Sequence, residues 1–262
     1  MKRAPLHRWD ISPREAIALQ RRLRDRLITA PIRGRVKLVA GGDIAYCRRD
    51  EMLFAAMVLI RLPEMETVEE AVVTRRAEYP YVPGLLSFRE APALLEAFAE
   101  LKQRPDALLV DGQGQAHPRG VGIAAHLGLW LDLPTIGCAK SRLCGEHEEP
   151  GSEPGDHAPL FLDGRVIGAV LRTRKGVKPL YVSAGHRSNL RDALRVVLRC
   201  CAGYRLPEPT RRSHILVTRL RAEYERASHG KNKGYENGRA GHSAERAYSV
   251  AGSWRKYDLR RS

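Results

Sequence analysis

The chain has 262 residues, 43% hydrophobic and 29% charged, enough to bury one sizeable core as a single α/β domain with tails. Its 45 Lys and Arg against 30 Asp and Glu give a formal net charge of +15, which points to a polyanionic partner because neutralising phosphates releases counterions. No window approaches the ~18 apolar residues of a membrane helix, the basic start leads into no signal-peptide core, and five cysteines without a CxxC pair offer neither a zinc ribbon nor a disulfide framework, so a cytoplasmic, monomeric protein with free thiols and no membrane partner is expected.

Charge is concentrated at the ends. Residues 1–37 carry 11 basic and 3 acidic side chains and residues 211–262 carry 13 and 5, whereas residues 38–210 carry 21 and 22. Ser12-Pro13-Arg14-Glu15 reads as an N-cap, a first-turn proline and a closing Glu, opening a helix to about Leu27. Leu19, Leu23 and Leu27 face inward and arginines fill the other faces.

Three strand-like runs follow, Val36 to Tyr46, Met52 to Arg61 and Thr67 to Glu78, and they read as an antiparallel meander. A proline-rich loop leads to a helix over Ala91 to Lys102. Asp106 to Asp111 is a short apolar strand of the kind buried on both faces. Further along, Gly120 to Leu131 and Ser188 to Cys201 read as helices; Thr135 to Cys138, Val166 to Thr173 and Pro179 to Ser183 read as strands. A meander followed by alternating α and β implies an α/β fold with a mixed sheet and helices on both faces. The acidic, Gly- and Pro-rich stretch 146–157 reads as a mobile loop within a catalytic domain spanning 1–221. Residues 222–262, basic and without apolar periodicity, read as a disordered tail.

Two carboxylates stand at strand ends beside glycines: Asp43 in VAGGDIAY and Asp111 in LLVDGQG. Either alone could be a turn former. Adjacent strands of one sheet would bring the pair together, where a buried charge needs a partner and a hard cation such as Mg²⁺ supplies it. Beside a polyanion, that arrangement suits metal-dependent phosphodiester hydrolysis. Glu90 is the candidate third carboxylate, His117 and His214 are candidate acid, base or water-positioning groups, and Lys140 could pair with a phosphate. The glycine-rich DGQGQAHPRG satisfies neither the P-loop nor the dinucleotide spacing.

Three longer motifs carry a resemblance. PYVPGLLSFRE (Pro80 to Glu90), the run from Asp106 to Gly145, and GAVLRTRKGVKPLYVSAGHRSNL with LPEPTR resemble endonuclease V, a deoxyinosine-directed repair nuclease family, over about Val39 to Leu216. The resemblance implies a ribonuclease-H-like fold, Mg²⁺ or Mn²⁺ dependence, and nicking at the second phosphodiester 3′ of inosine in DNA or RNA. It implies catalytic carboxylates at Asp43, Glu90 and Asp111, all metal-holding, with Lys140 near the scissile phosphate and His214 beside the acidic site. It also implies a strand-separating wedge at Pro80, Tyr81, Val82 and Pro83, and an inosine pocket drawing on Gly84, Gly112, His117, Ile123 and Gly137. Two other readings stay open: a nucleic-acid-binding module with a degenerate nuclease fold, and a ribonuclease-H or junction-type nuclease without inosine specificity.

Overall fold

The computed structural model describes residues 5–234. Helix α1 (Pro13–Arg24) begins as the sequence implies: Glu15 N donates to Ser12 Oγ at 3.3 Å and Ser12 N donates to Glu15 Oε2 at 2.8 Å. It ends three residues before Leu27. Ahead of it, Trp9 stacks on Trp130 at 5.2 Å and ties the entering chain to the body.

The meander forms β1 (Leu38–Cys47), β2 (Met52–Arg61) and β3 (Glu66–Arg76). After α2 (Leu86–Ala99) come β4 (Ala107–Val110), α3 (Ile123–Leu131), β5 (Thr135–Ala139), β6 (His157–Leu162), β7 (Arg165–Leu171) and β8 (Leu180–Ala184). Helices α4 (Leu190–Arg199) and α5 (Glu208–Gly234) close the described chain. One 8-stranded sheet has the order β3-β2-β1-β4-β5-β8-β7-β6. β1, β4 and β5 run parallel; all other pairings are antiparallel. The expected mixed sheet is therefore present, with helices on both faces. α2 and α3 bury Leu94, Leu95 and Leu127 against one face, and α4 and α5 bury Val196, Val197 and Val217 against the other.

Several boundaries differ from expectation. α2 starts at Leu86 rather than Ala91, so Glu90 lies on a helix and not in a loop, and Pro92 sits inside that helix. Burial of Leu85, Phe88 and Ala91 along one stripe outweighs the proline. β6 was hidden in the sequence by Pro159, which is tolerated because β6 is the sheet's edge strand. The acidic stretch is irregular but fastened: Arg172 donates to Glu149 Oε1 at 2.6 Å and to Gly151 O at 3.1 Å, and Glu146 bridges Phe161.

Helix α5 runs past the expected domain boundary at 221. Residues 222–234 continue α5, and Tyr224 packs against Phe54 with ring centroids 5.3 Å apart. The remainder of the expected tail, 235–262, lies outside the described residues.

Candidate active site

Asp43 lies in mid-β1 and Asp111 directly follows β4. The parallel register pairs Gly42 with Val110, so the next residues, Asp43 and Asp111, come side by side, and Asp111 N donates to Gly42 O at 3.0 Å. β1 is buried on both faces here, and Asp43 is buried too. Its Oδ1 accepts the Ile44 amide at 2.8 Å.

His214 arrives from the far end of the sequence because α5 rests directly on β1. A Cβ at Gly41 would stand 2.1 Å from the Pro209 carbonyl carbon, so only glycine permits that approach. Ser213 Oγ donates to Gly41 O at 2.6 Å and fixes the helix rotation. His214 Nδ1 then donates to Asp43 Oδ2 at 2.7 Å. Lys140, just past β5, pairs with Asp111, and its Nζ lies 3.3 Å from His214 Nδ1. Arg205 donates to the Lys140 carbonyl at 2.7 Å and steadies that turn.

One ligand atom from each of Asp43, Asp111 and His214 falls within 4.8 Å of the others. Glu90 stands outside this trio but shares its field. Burial, reinforced by the Asp43 charge, pushes Glu90 up to about 8. Burial and the Asp111 charge likewise push Asp43 up to about 6, although Lys140 and His214 pull it back. The cluster thus holds more negative charge than its own cations offset. Hard oxygen donors with one imidazole, crowded and pushed toward protonation, fit a divalent cation.

The expected pocket residues converge beside the cluster. Gly84 O accepts three side-chain donors: His117 Nε2 at 3.0 Å, Gln20 Nε2 at 3.1 Å and an Arg119 guanidinium nitrogen at 2.6 Å. His117 Nδ1 accepts the Arg119 amide at 3.1 Å, so the ring carries its proton on Nε2. Burial, with Arg119 adding to it, lowers His117 to about 4 and keeps it neutral. His117 therefore ties two motifs together. Ile123 overlies Gly112, and a Cβ at Gly137 would meet Gly114 N at 2.3 Å and Gly112 O at 2.6 Å. The result is a wall of bare backbone.

The expected wedge stands outward. Tyr81 is 72% exposed, Pro80 and Pro83 are exposed beside it, and Val82 tucks half-buried against the cluster under α1. Its base is firm, because buried Tyr79 packs on Phe88 at 5.5 Å and Arg89 donates to Tyr79 O at 2.8 Å.

Sequence reasoning missed Gln20, Arg119, Arg89 and Arg205, none of which carries the chemistry. Gln20 alone left a trace, as a polar residue buried within the apolar stripe of Ala16, Leu19 and Leu23.

Carboxylates gathered on adjacent parallel strands of such a mixed sheet, Asp43 within β1 and Asp111 just past β4, with a lysine and a histidine beside them, define a ribonuclease-H-like, metal-dependent phosphodiester hydrolase. The endonuclease V family profile matches residues 21–215. Endonuclease V of Dehalococcoides mccartyi is 48% identical over 215 residues, covering 82% of this chain and 96% of that protein. The Roseiflexus sp. enzyme is 50% identical over 210 residues, covering 80% and 94%. Streptomyces avermitilis endonuclease V superposes with a TM-score of 0.79 at 40% identity, covering 83% of this chain and 96% of that one. The Ciona intestinalis enzyme, solved with DNA containing an inosine followed by a ribo-adenosine, gives 0.73 at 28% identity, covering 82% and 100%. The chain belongs to the endonuclease V family and is an endonuclease.

Proposed function

We propose that this chain incises inosine-containing nucleic acid at the second phosphodiester 3′ of the inosine, using Mg²⁺ with Mn²⁺ as a substitute, as a cytoplasmic, monomeric DNA-repair enzyme. The observation that carries the proposal is the junction of two sites: the Asp43–Asp111–His214 trio adjoins the glycine backbone at Gly112 and Gly137, and His117 ties the segment that follows Gly112 to Gly84, in the loop that bears the exposed Tyr81.

Asp43, Asp111 and Glu90 would hold the divalent ion, which when bound would supply activation of water and stabilisation of the leaving oxygen. Lys140, already bound to Asp111, offers a cation to the phosphate. His214 is oriented through Nδ1 by Asp43, which leaves Nε2 to position a water or donate a proton. Tyr81 fills the gap when the inosine leaves the stack. The amides and carbonyls around Gly84, Gly112 and Gly137 read the hypoxanthine edge, and adenine is rejected where its amino group meets a donor.

The test is single-turnover nicking of an inosine duplex and an inosine-free duplex, with and without Mg²⁺. Cleavage of the inosine strand alone, and only with the ion, is expected. Equal cleavage of both duplexes would support a nuclease without inosine specificity. Binding without cleavage would support a degenerate nuclease fold.

A further inference from the structure

The face of the sheet that carries α4 and α5 is incompletely roofed. α5 lies over β1 and β2, α4 lies over β8 and β7, and edge strand β6 packs chiefly on β7. Between α4 and β6 runs a groove of about 800 Å³. Its floor is apolar, made by Pro159 and Ala169 from the strands and by half-buried Leu194 and Leu198 from α4.

The rim has a different chemistry. Arg191, Arg195 and Arg199 recur every fourth residue along α4, so they form one exposed row beside the floor. Arg195 pairs with Asp192 at 2.8 Å and Arg199 donates to Val36 O at 3.1 Å, whereas Arg191 has no acidic partner among the described residues.

These two chemistries together select the occupant. A phosphate backbone would satisfy the arginines and leave the leucines wet. The chain's own residues 235–262 hold 6 basic and 3 acidic side chains and so share the rim's sign. A helix with an apolar stripe flanked by carboxylates satisfies both, and α4's 10 residues give about 15 Å of seat, roughly three turns. We propose that the groove between α4 and β6 docks an acidic amphipathic helix of a partner protein, its apolar stripe on Leu194 and Leu198 and its carboxylates on Arg191, Arg195 and Arg199. None of these residues belongs to the nuclease site, so the partner can stay bound while the enzyme cuts.

The probe is a labelled synthetic helix with leucines at i, i+3, i+4 and i+7 flanked by glutamates, titrated with the full-length protein in fluorescence anisotropy. A twin with lysines in place of the glutamates is the control. Saturable binding of the acidic helix in the range of about 10–100 μM is expected, with the lysine twin much weaker. In Arg191→Glu/Arg195→Glu the acidic helix should lose about tenfold and the lysine twin should gain, while inosine nicking is unchanged. Circular dichroism verifies that this variant is folded, and Leu198→Ser supplies a second variant that leaves the arginines in place.

No saturable binding, or equal binding of both helices, overturns the proposal. Displacement of the helix by inosine-free duplex, with reduced duplex affinity in the arginine variant, would make the groove a phosphate surface instead. Helix binding that appears only after deletion of residues 235–262 would mean that the chain's own tail fills it. Either result also rejects the partner helix.

Discussion

Tyr81 presents an aromatic ring to solvent from a turn stiffened by Pro80 and Pro83, while its neighbour Tyr79 is buried and anchored by Arg89. A ring so mounted is mostly exposed in the free protein and is available to stack on a base. Tyr81→Ala should weaken inosine-duplex binding by on the order of 1–3 kcal/mol and leave inosine-free duplex nearly unaffected. Parallel titrations of both duplexes check this, since an equal loss on both would remove the wedge role. Gln20 poses a different question, because its side chain spans from α1 to the Gly84 and Val121 carbonyls and receives Arg119 Nε at 2.6 Å. Gln20→Leu should cost about 1–3 kcal/mol of stability, as buried polar groups lose partners, and should raise KM for inosine substrate more than it lowers kcat. Thermal melts and steady-state kinetics measure the two effects. Asp43 and Asp111 were legible in the sequence because carboxylates beside glycines in apolar strands are chemically conspicuous, although Asp43 stands within β1 rather than at the strand end expected for it. Arg119 was not, because a guanidinium that fixes a carbonyl 35 residues away in sequence leaves no local pattern.

Helix α5 does more than the sequence suggested. Its basic side chains mask an apolar stripe of Leu216, Val217, Leu220 and Tyr224 that packs on the sheet, so residues from 222 onward read as basic and without apolar periodicity and the domain was expected to end at 221. The same helix carries His214 to Asp43, which couples folding of the C-terminal helix to assembly of the site. Truncation after Arg221 removes Tyr224 and should lower stability by roughly 1–3 kcal/mol, or a few degrees in Tm for a chain of this size. Truncation after Gly234 should leave Tm unchanged and lower only non-specific, salt-sensitive duplex affinity. Differential scanning calorimetry of the two truncations checks the first claim, and salt-dependent binding checks the second. The meander and the DALLVD strand were readable as apolar, β-prone runs bounded by polar or proline-containing connections, and α4 by its apolar spacing of about four residues. The start of α2 and all of β6 were not, because Pro92 and Pro159 signal interruption locally and only burial or an edge position overrules them.

Across the whole molecule, charge is partitioned: the termini are basic and the sheet's centre gathers acids that the protein's own cations do not balance. In the metal-free protein, Asp43 and Glu90 bind their protons more tightly folded than unfolded, at about 6 and about 8. Their contribution is fully present below the ordinary carboxylate range and is lost as pH rises through those values. Metal-free Tm should therefore fall as pH rises from about 5 to about 9, and the gain in Tm on adding Mg²⁺ should widen over the same interval. A constant gain would show that the carboxylates are not what the ion relieves. The measurement that bears most directly on the division of labour is single-turnover incision and equilibrium binding of an inosine duplex by Asp43→Ala, across a Mg²⁺ titration, beside the unaltered protein. The expected result is loss of incision at every Mg²⁺ concentration with inosine-specific binding retained or tightened, because the proposal gives the ion to Asp43 and the base to Tyr81 and the glycine backbone. Incision recovered at high Mg²⁺ to the unaltered rate, or inosine binding lost together with incision, would contradict it.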